Sequence, residues 1–227
     1  MLFRSDKVRF LTLTGKEVRD DKAPLEISIR LDNEKNMLVI SDTGIGMTKE
    51  ELVQNIGTIA HSGSFSFLKA IADNQDGKPD INLIGRFGVG FYAVFMVAKQ
   101  VEVLTLPAAP GSSASLWNSE GKGTYTIVPA EKETRGTEIR VHLKEEEKEF
   151  LEKYRVESII QKYSDFVSYP IKLEQEKVNK LAAIWHRQTS EIKEEEYEEF
   201  FKYLTHNQEK PLSHIHLSFD EIGRAHV

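Results

Sequence analysis

The chain contains no cysteine, so disulfides, thiolate nucleophiles and thiolate metal sites are excluded, and a reducing, cytoplasmic setting is the natural expectation. It has no apolar run near twenty residues, so no helical membrane span is written into it. Its first ten residues are too charged and too short for a signal peptide. Basic residues are in the minority, 30 Lys and Arg against 36 Asp and Glu, leaving a net charge of −6. That balance argues against a nucleic-acid surface. No internal repeat is visible. Two hundred and twenty-seven residues, 40% of them hydrophobic, suffice for one sizeable domain and a piece of another.

What is present is concentrated in two glycine clusters. The first follows an apolar run over residues 37–40. The run ends in Ser41-Asp42, then Thr43-Gly44-Ile45-Gly46-Met47. This reads as a buried strand that stops, presents one carboxylate and turns on residues without side chains. An ionised carboxylate only accepts hydrogen bonds, which suits a ligand offering an amino group, such as adenine. The glycines permit positive φ and close approach of a flat ring. The same pattern also makes an ordinary Asp-x-Gly turn.

The second cluster is Gly85-Arg86-Phe87-Gly88-Val89-Gly90, running into the apolar stretch 91–98. A glycine-rich loop feeding a helix start cradles phosphate through free backbone N–H groups and the helix dipole. The spacing G-x-x-G-x-G is neither the dinucleotide fingerprint nor a P-loop. A loop that merely lets helices pack tightly is the simpler alternative. The pairing with the upstream cluster favours a nucleotide.

Between the clusters, Thr48-Lys49-Glu50-Glu51 is a capping box, opening a helix over 49–56 with Gly57 as its C′ residue. Residues 58–66 are small and hydroxyl-rich, the composition of a lid that opens at low cost. Periodicity predicts helices over 6–13, 66–72, 91–98 and 149–166. It predicts strands over 25–31, 37–41, 101–106, 115–117, 123–128, 137–143 and 169–173. The expected fold class is an α+β two-layer sandwich, a twisted, mostly antiparallel sheet with helices on one face, followed by the start of a second domain. A helix around 192–204 carries an acidic face, Glu194 to Glu196 with Glu198 and Glu199, read as solvated. Its apolar stripe is Ile192, Tyr197, Phe200, Phe201 and Leu204. His214 and His216 would share one strand face. Two histidines without a third ligand read as a surface pair, so no metal site is assigned.

The strings Asp42 to Met47, Gly57-Thr58-Ile59-Ala60-His61-Ser62-Gly63 and Ile84-Gly85-Arg86-Phe87-Gly88-Val89-Gly90-Phe91-Tyr92 resemble the signatures of the heat shock protein 90 chaperones, of the bacterial type. Further agreement lies at Arg135-Gly136-Thr137, at 158–166 and at 185–203, so the resemblance runs from about residue 6 to 219. Asp-x-Gly-x-Gly alone is shared with gyrase, sensor histidine kinases and mismatch-repair ATPases. The string around 84–92 is far more specific.

The resemblance implies an ATP-binding domain of a chaperone that assists protein folding. Asp42 would hold the adenine amino group, partly through water, with Gly46 and Met47 lining the pocket and Thr137 in the water network. Asn55 would contact the ribose and phosphate side. Gly85, Arg86, Phe87, Gly88, Val89, Gly90 and Phe91 would wrap the phosphates, and residues 57–67, with His61 and Ser62, would form the lid. The family often has Lys at His61 and Gln at Arg86. A neutral imidazole is the poorer phosphate contact, and the Arg86 cation compensates in part. ATP or ADP with magnesium is the implied ligand, unfolded or partly folded clients the implied partners, and a homodimer the implied full-length state.

The domain layout expected from this likeness is a non-native leader at 1–5, the ATP-binding domain at 6–173, a linker at 174–181, the beginning of a middle domain at 182–220 and a non-native tail at 221–227. The family's general base Glu and magnesium-binding Asn would fall upstream of Met1. No catalytic residue is therefore assigned, and weak nucleotide binding with little hydrolysis is expected. A sensor histidine kinase ATP domain and an inert interaction fragment stand as alternatives.

Overall fold

In the computed structural model, the described residues are 2–57, 90–180, 189, 192–205 and 209–216. The expected helix at 66–72 and, apart from Gly57, the lid expected at 57–67 lie outside them. The chain forms two compact units, residues 1–179 and 180–227.

The first unit is built on one eight-stranded sheet. In chain order the strands are β1 (Ile27–Asp32), β2 (Met37–Asp42), β3 (Ala98–Leu106), β4 (Ala114–Ser119), β5 (Thr126–Ala130), β6 (Gly136–Leu143), β7 (Ile171–Leu173) and β8 (Glu176–Lys177). Their order across the sheet is β5-β4-β3-β6-β2-β1-β7-β8. Every pairing is antiparallel except β1 with β7. The α+β sandwich expected from the sequence is the fold observed.

The period of two decides which face is covered. Val101 and Val103 of β3, Trp117 of β4, and Val141 and Leu143 of β6 are buried in one cluster. Helix α2 (Lys49–Asn55) lays Leu52 into it, with Met47 and Ile56 beside it. Helix α3 (Lys153–Ser164) sets Val156 and Ile160 against Ile27, Ile171 and Leu173. Helix α1 (Leu2–Leu13) contributes Val8 to a third cluster with Val18 and Ala108, against which Ile45 packs.

The capping box is formed as expected. Thr48 Oγ1 accepts the Glu51 N–H at 3.2 Å, and the Glu51 carboxylate accepts the Thr48 N–H at 3.0 Å. Gly57 is the C′ residue, as expected, directly after the C-cap Ile56, although it is not left-handed. A Cβ there would lie 2.7 Å from the Tyr125 hydroxyl, so close approach, not backbone handedness, calls for glycine.

Three further expectations change. The apolar stretch 91–98 is not a buried α-helix but a 3₁₀ helix, Gly90–Met96, with no fully buried residue. Its aromatic and β-branched residues are poor helix formers, and Ala98 is already the first residue of β3. The single helix expected over 149–166 is a 3₁₀ turn, Glu145–Leu151, then α3, with Glu152 extended between them. Residues 174–179, expected within the linker, close a β7–β8 hairpin instead. Asn179 fastens it by accepting the Ile171 N–H at 2.7 Å and donating to the carbonyls of Val167 and Tyr169.

The second unit contains α4 (Glu194–Thr205), whose apolar residues are not fully buried. Residues 211–216 form no strand, so the two histidines are not set by a strand period. Tyr197 organises both: the His214 ring stacks on it at 3.9 Å, and its hydroxyl bonds His216 Nδ1 at 2.7 Å.

Candidate functional site: a carboxylate at the end of a strand

Asp42 is the last residue of β2 and is buried, 3% exposed. Its Oδ1 accepts the N–H of Gly44 at 2.9 Å and that of Thr137 at 3.2 Å. Its Oδ2 is buried and has no protein hydrogen-bond partner. An unpaired buried acceptor costs roughly 1–3 kcal/mol. A ligand N–H directed at Oδ2 would offset that cost.

One row of residues crosses the sheet at this end. Ile27, Asp42, Thr137, Thr105, Ser115 and Pro129 are successive register partners on β1, β2, β6, β3, β4 and β5. Partners in register share a face, so Asp42, Thr137, Thr105 and Ser115 form a polar band beside the apolar cluster under α2. All four are buried.

Two glycines shape the turn around the carboxylate. Gly46 has φ +67°, and a Cβ there would lie 2.1 Å from the Leu106 carbonyl oxygen. Gly136 has φ +108°, and a Cβ there would lie 2.0 Å from the Asp42 carbonyl oxygen. The segment 44–47 thus lies flat along the end of β3. The Ala108 N–H reaches the Ile45 carbonyl at 2.8 Å, and the Met47 N–H reaches Thr105 Oγ1 at 2.9 Å.

Arg135 fixes the other approach. Its side chain is 1% exposed. It donates to the carbonyls of Asp20 at 2.7 Å and Ala23 at 3.2 Å, and its backbone N–H meets the Asp20 carboxylate at 3.1 Å. The loop between α1 and β1 is thereby tied to the strand that carries Thr137. Burial pushes the Arg135 and Lys132 cations down, and Asp42 is among the carboxylates that oppose the shift in both.

Of the residues expected from sequence, Asp42, Gly46, Met47 and Thr137 come together here. Asn55 ends α2 and is half-buried. Gly90 is exposed at the start of the 3₁₀ helix, and Phe91 packs edge-on against Trp117 with centroids 5.7 Å apart. His61, Ser62, Gly85, Arg86, Phe87, Gly88 and Val89 lie outside the described residues. Thr105 and Gly136 were not expected in the site. Thr105 had a signal, being a polar residue in phase with Val101 and Val103 on the inward face of β3.

Residues 21–121 match the profile of the histidine kinase-, DNA gyrase B- and HSP90-like ATPases, and residues 172–222 match that of the Hsp90 protein family. The chain is 47% identical to the chaperone protein HtpG of Myxococcus xanthus, over 95% of this chain and 35% of that protein. It is 46% identical to HtpG of Desulfitobacterium hafniense, over 95% and 35%. It is 47% identical to HtpG of Chlorobaculum tepidum, over 94% and 34%. The chain belongs to the heat shock protein 90 family. It spans about a third of the length of these relatives.

Family membership makes sense of the geometry. The ATPase profile spans β1 to β4 and so contains Asp42, Gly46, Met47 and Thr105. This is the nucleotide-binding type of domain. Its residues fit a nucleotide: the unbonded Oδ2 can accept from a ligand donor, and the two glycines leave backbone where a side chain would intrude. Among the described residues no helix is long and apolar enough to cross a membrane.

Proposed function

We propose that this chain is the ATP-binding part of an ATP-dependent molecular chaperone. The observation that carries the reading is the buried Asp42 oxygen without a protein partner, beside a turn flattened by Gly46 and Gly136. Adenine would place its amino group on Asp42, with Met47 and Thr137 around the ring and Asn55 toward the ribose. The glycine-rich segment 85–90, with Phe91, His61 and Ser62, would take the phosphates, which bring magnesium with them. Residues 6–179, now including the β7–β8 hairpin, would make up the nucleotide domain and 182–220 the opening of a middle domain. Hydrolysis of ATP by the full-length protein, a homodimeric state, engagement of unfolded or partly folded clients and a cytoplasmic location belong to the same proposal. A sensor-kinase reading has less support, because the relatives matched over nearly the whole of this chain are chaperones.

The test is displacement of a fluorescent adenine nucleotide from the folded chain. ATP and ADP are expected to displace it and GTP is not, because the guanine carbonyl would face an acceptor. Equal displacement by GTP, or none by ATP, would remove the adenine reading.

A further inference from the structure

Thr105 is fully buried at 0% exposure, and its hydroxyl touches three groups. It accepts the Met47 N–H at 2.9 Å. It lies 3.2 Å from the Gly136 carbonyl, to which it can donate, and 3.1 Å from Thr137 Oγ1. A hydroxyl has one proton and two acceptor positions. One arrangement uses all of them. Thr105 donates to Gly136 O and accepts from both the Met47 N–H and the Thr137 hydroxyl. The Thr137 proton then points away from the ligand side, and its oxygen offers only lone pairs. Next to it across the ladder stands Asp42 Oδ2, which also offers only lone pairs.

We infer that Thr105 is a specificity-setting positioning residue: by taking the Thr137 proton, it keeps the pocket wall beside Asp42 acceptor-only, so that a base with an exocyclic amino group is chosen over one with a carbonyl there. The inference rests on the adenine-nucleotide reading above. It assigns to a residue behind the pocket wall a part of the selectivity that the wall itself expresses. A site built to pair with a donor rejects the analogue lacking it, since buried acceptors are left facing an acceptor. Removing the Thr105 hydroxyl frees the Thr137 proton to turn and donate to a carbonyl. It also leaves the Met47 N–H without this acceptor.

The experiment compares ADP with inosine 5′-diphosphate, which carries a carbonyl in place of the amino group and an N–H in place of adenine's bare N1. Calorimetry is run on the 227-residue chain and on Thr105→Val, Thr105→Cys and Thr105→Ser, each checked for folding by circular dichroism. Thr105→Val is expected to lower the ratio of ADP to inosine diphosphate affinity by about tenfold, the worth of one hydrogen bond. Thr105→Cys, close in shape with a weak thiol, is expected to lower it less, and it serves if the valine variant does not fold. Thr105→Ser restores the ratio. A general structural role would weaken both ligands alike, so an unchanged ratio in the valine or cysteine variant overturns the inference while leaving the adenine reading intact. Failure of the folded wild-type chain to bind ADP overturns the adenine reading, and this inference with it.

Discussion

Thr137 donates its backbone N–H, not its hydroxyl, to Asp42 Oδ1 at 3.2 Å, and the two residues are register partners across β2 and β6. The orientation of the carboxylate is therefore set by the ladder and survives a change of side chain at 137. Thr137→Val is expected to melt within a few degrees of wild type, yet to bind ADP about fivefold more weakly through loss of the hydroxyl. Thermal melting and calorimetry on the same samples decide it. A large loss of stability would mean that the hydroxyl contact to Thr105 holds the sheet rather than the ligand.

Gly46→Ala and Gly136→Ala each place a Cβ about 2 Å from a backbone carbonyl oxygen at positive φ. Strain of that backbone conformation alone costs roughly 1–3 kcal/mol, and the overlap forces the turn away from β3 or β2. Both variants are expected to lose at least about 2 kcal/mol of stability in chemical denaturation, and ADP binding with it. Either one matching wild type would show that the turn tolerates displacement.

Arg135 holds two carbonyls of the 20–23 loop with one planar fork. Hydrogen bonds from a charged donor contribute roughly 1.5–3 kcal/mol each, and a lysine ammonium cannot reproduce the fork. Arg135→Leu and Arg135→Lys should both destabilise the fold by about 2–3 kcal/mol, read as denaturation midpoints at constant slope. A Lys variant as stable as wild type would contradict the requirement for the fork.

Tyr169 is buried and donates to Asp6 at 2.6 Å. Burial first, then the hydrogen bond and the negative charge of Asp6, hold its phenol well above the ordinary value. A folded pKa above the unfolded one means stability that is present below about pH 10 and lost as pH rises beyond it. Above about pH 10, wild-type melting temperature should therefore fall more steeply than that of Tyr169→Phe, which has no group to ionise, while the two curves run parallel below it. Curves that stay parallel above it would contradict the assignment.

Much of this fold could be read from local pattern. The capping box at Thr48 and Glu51, the alternation of Ile27, Ile29 and Leu31, and the apolar run that ends at Asp42 each act over a few residues. Asp42 was legible because the carboxylate closing a buried strand before two glycines is paired with a second glycine cluster at 85–90; alone, the pattern also makes an ordinary turn. Thr105 shows in the sequence only as a polar residue in phase with Val101 and Val103; its role follows from register, since only when β3, β6 and β2 lie side by side do residues 105, 137 and 42 form one row. Gly136 stands out in the sequence only through the family resemblance, since its need for positive φ depends on where the Asp42 carbonyl lies. The 3₁₀ helix at Gly90–Met96 escaped a period-based reading because its apolar content is high, while its aromatic and β-branched residues resist the α-helix and Ala98 is claimed by β3. The hairpin at 174–179 escaped for a similar reason: a polar stretch reads as linker until Asn179 is seen to hold it.

The most direct test is titration of the folded chain with ADP and magnesium by calorimetry, beside Asp42→Asn. Asparagine keeps an acceptor for the N–H groups of Gly44 and Thr137 and places an amide NH₂ where Oδ2 stood. The fold is preserved and the sense of one hydrogen bond is reversed. Binding by wild type and a loss of about thirtyfold or more in Asp42→Asn, the worth of about 2 kcal/mol, would place the adenine amino group on Asp42. Equal affinity of the two proteins for ADP would contradict it.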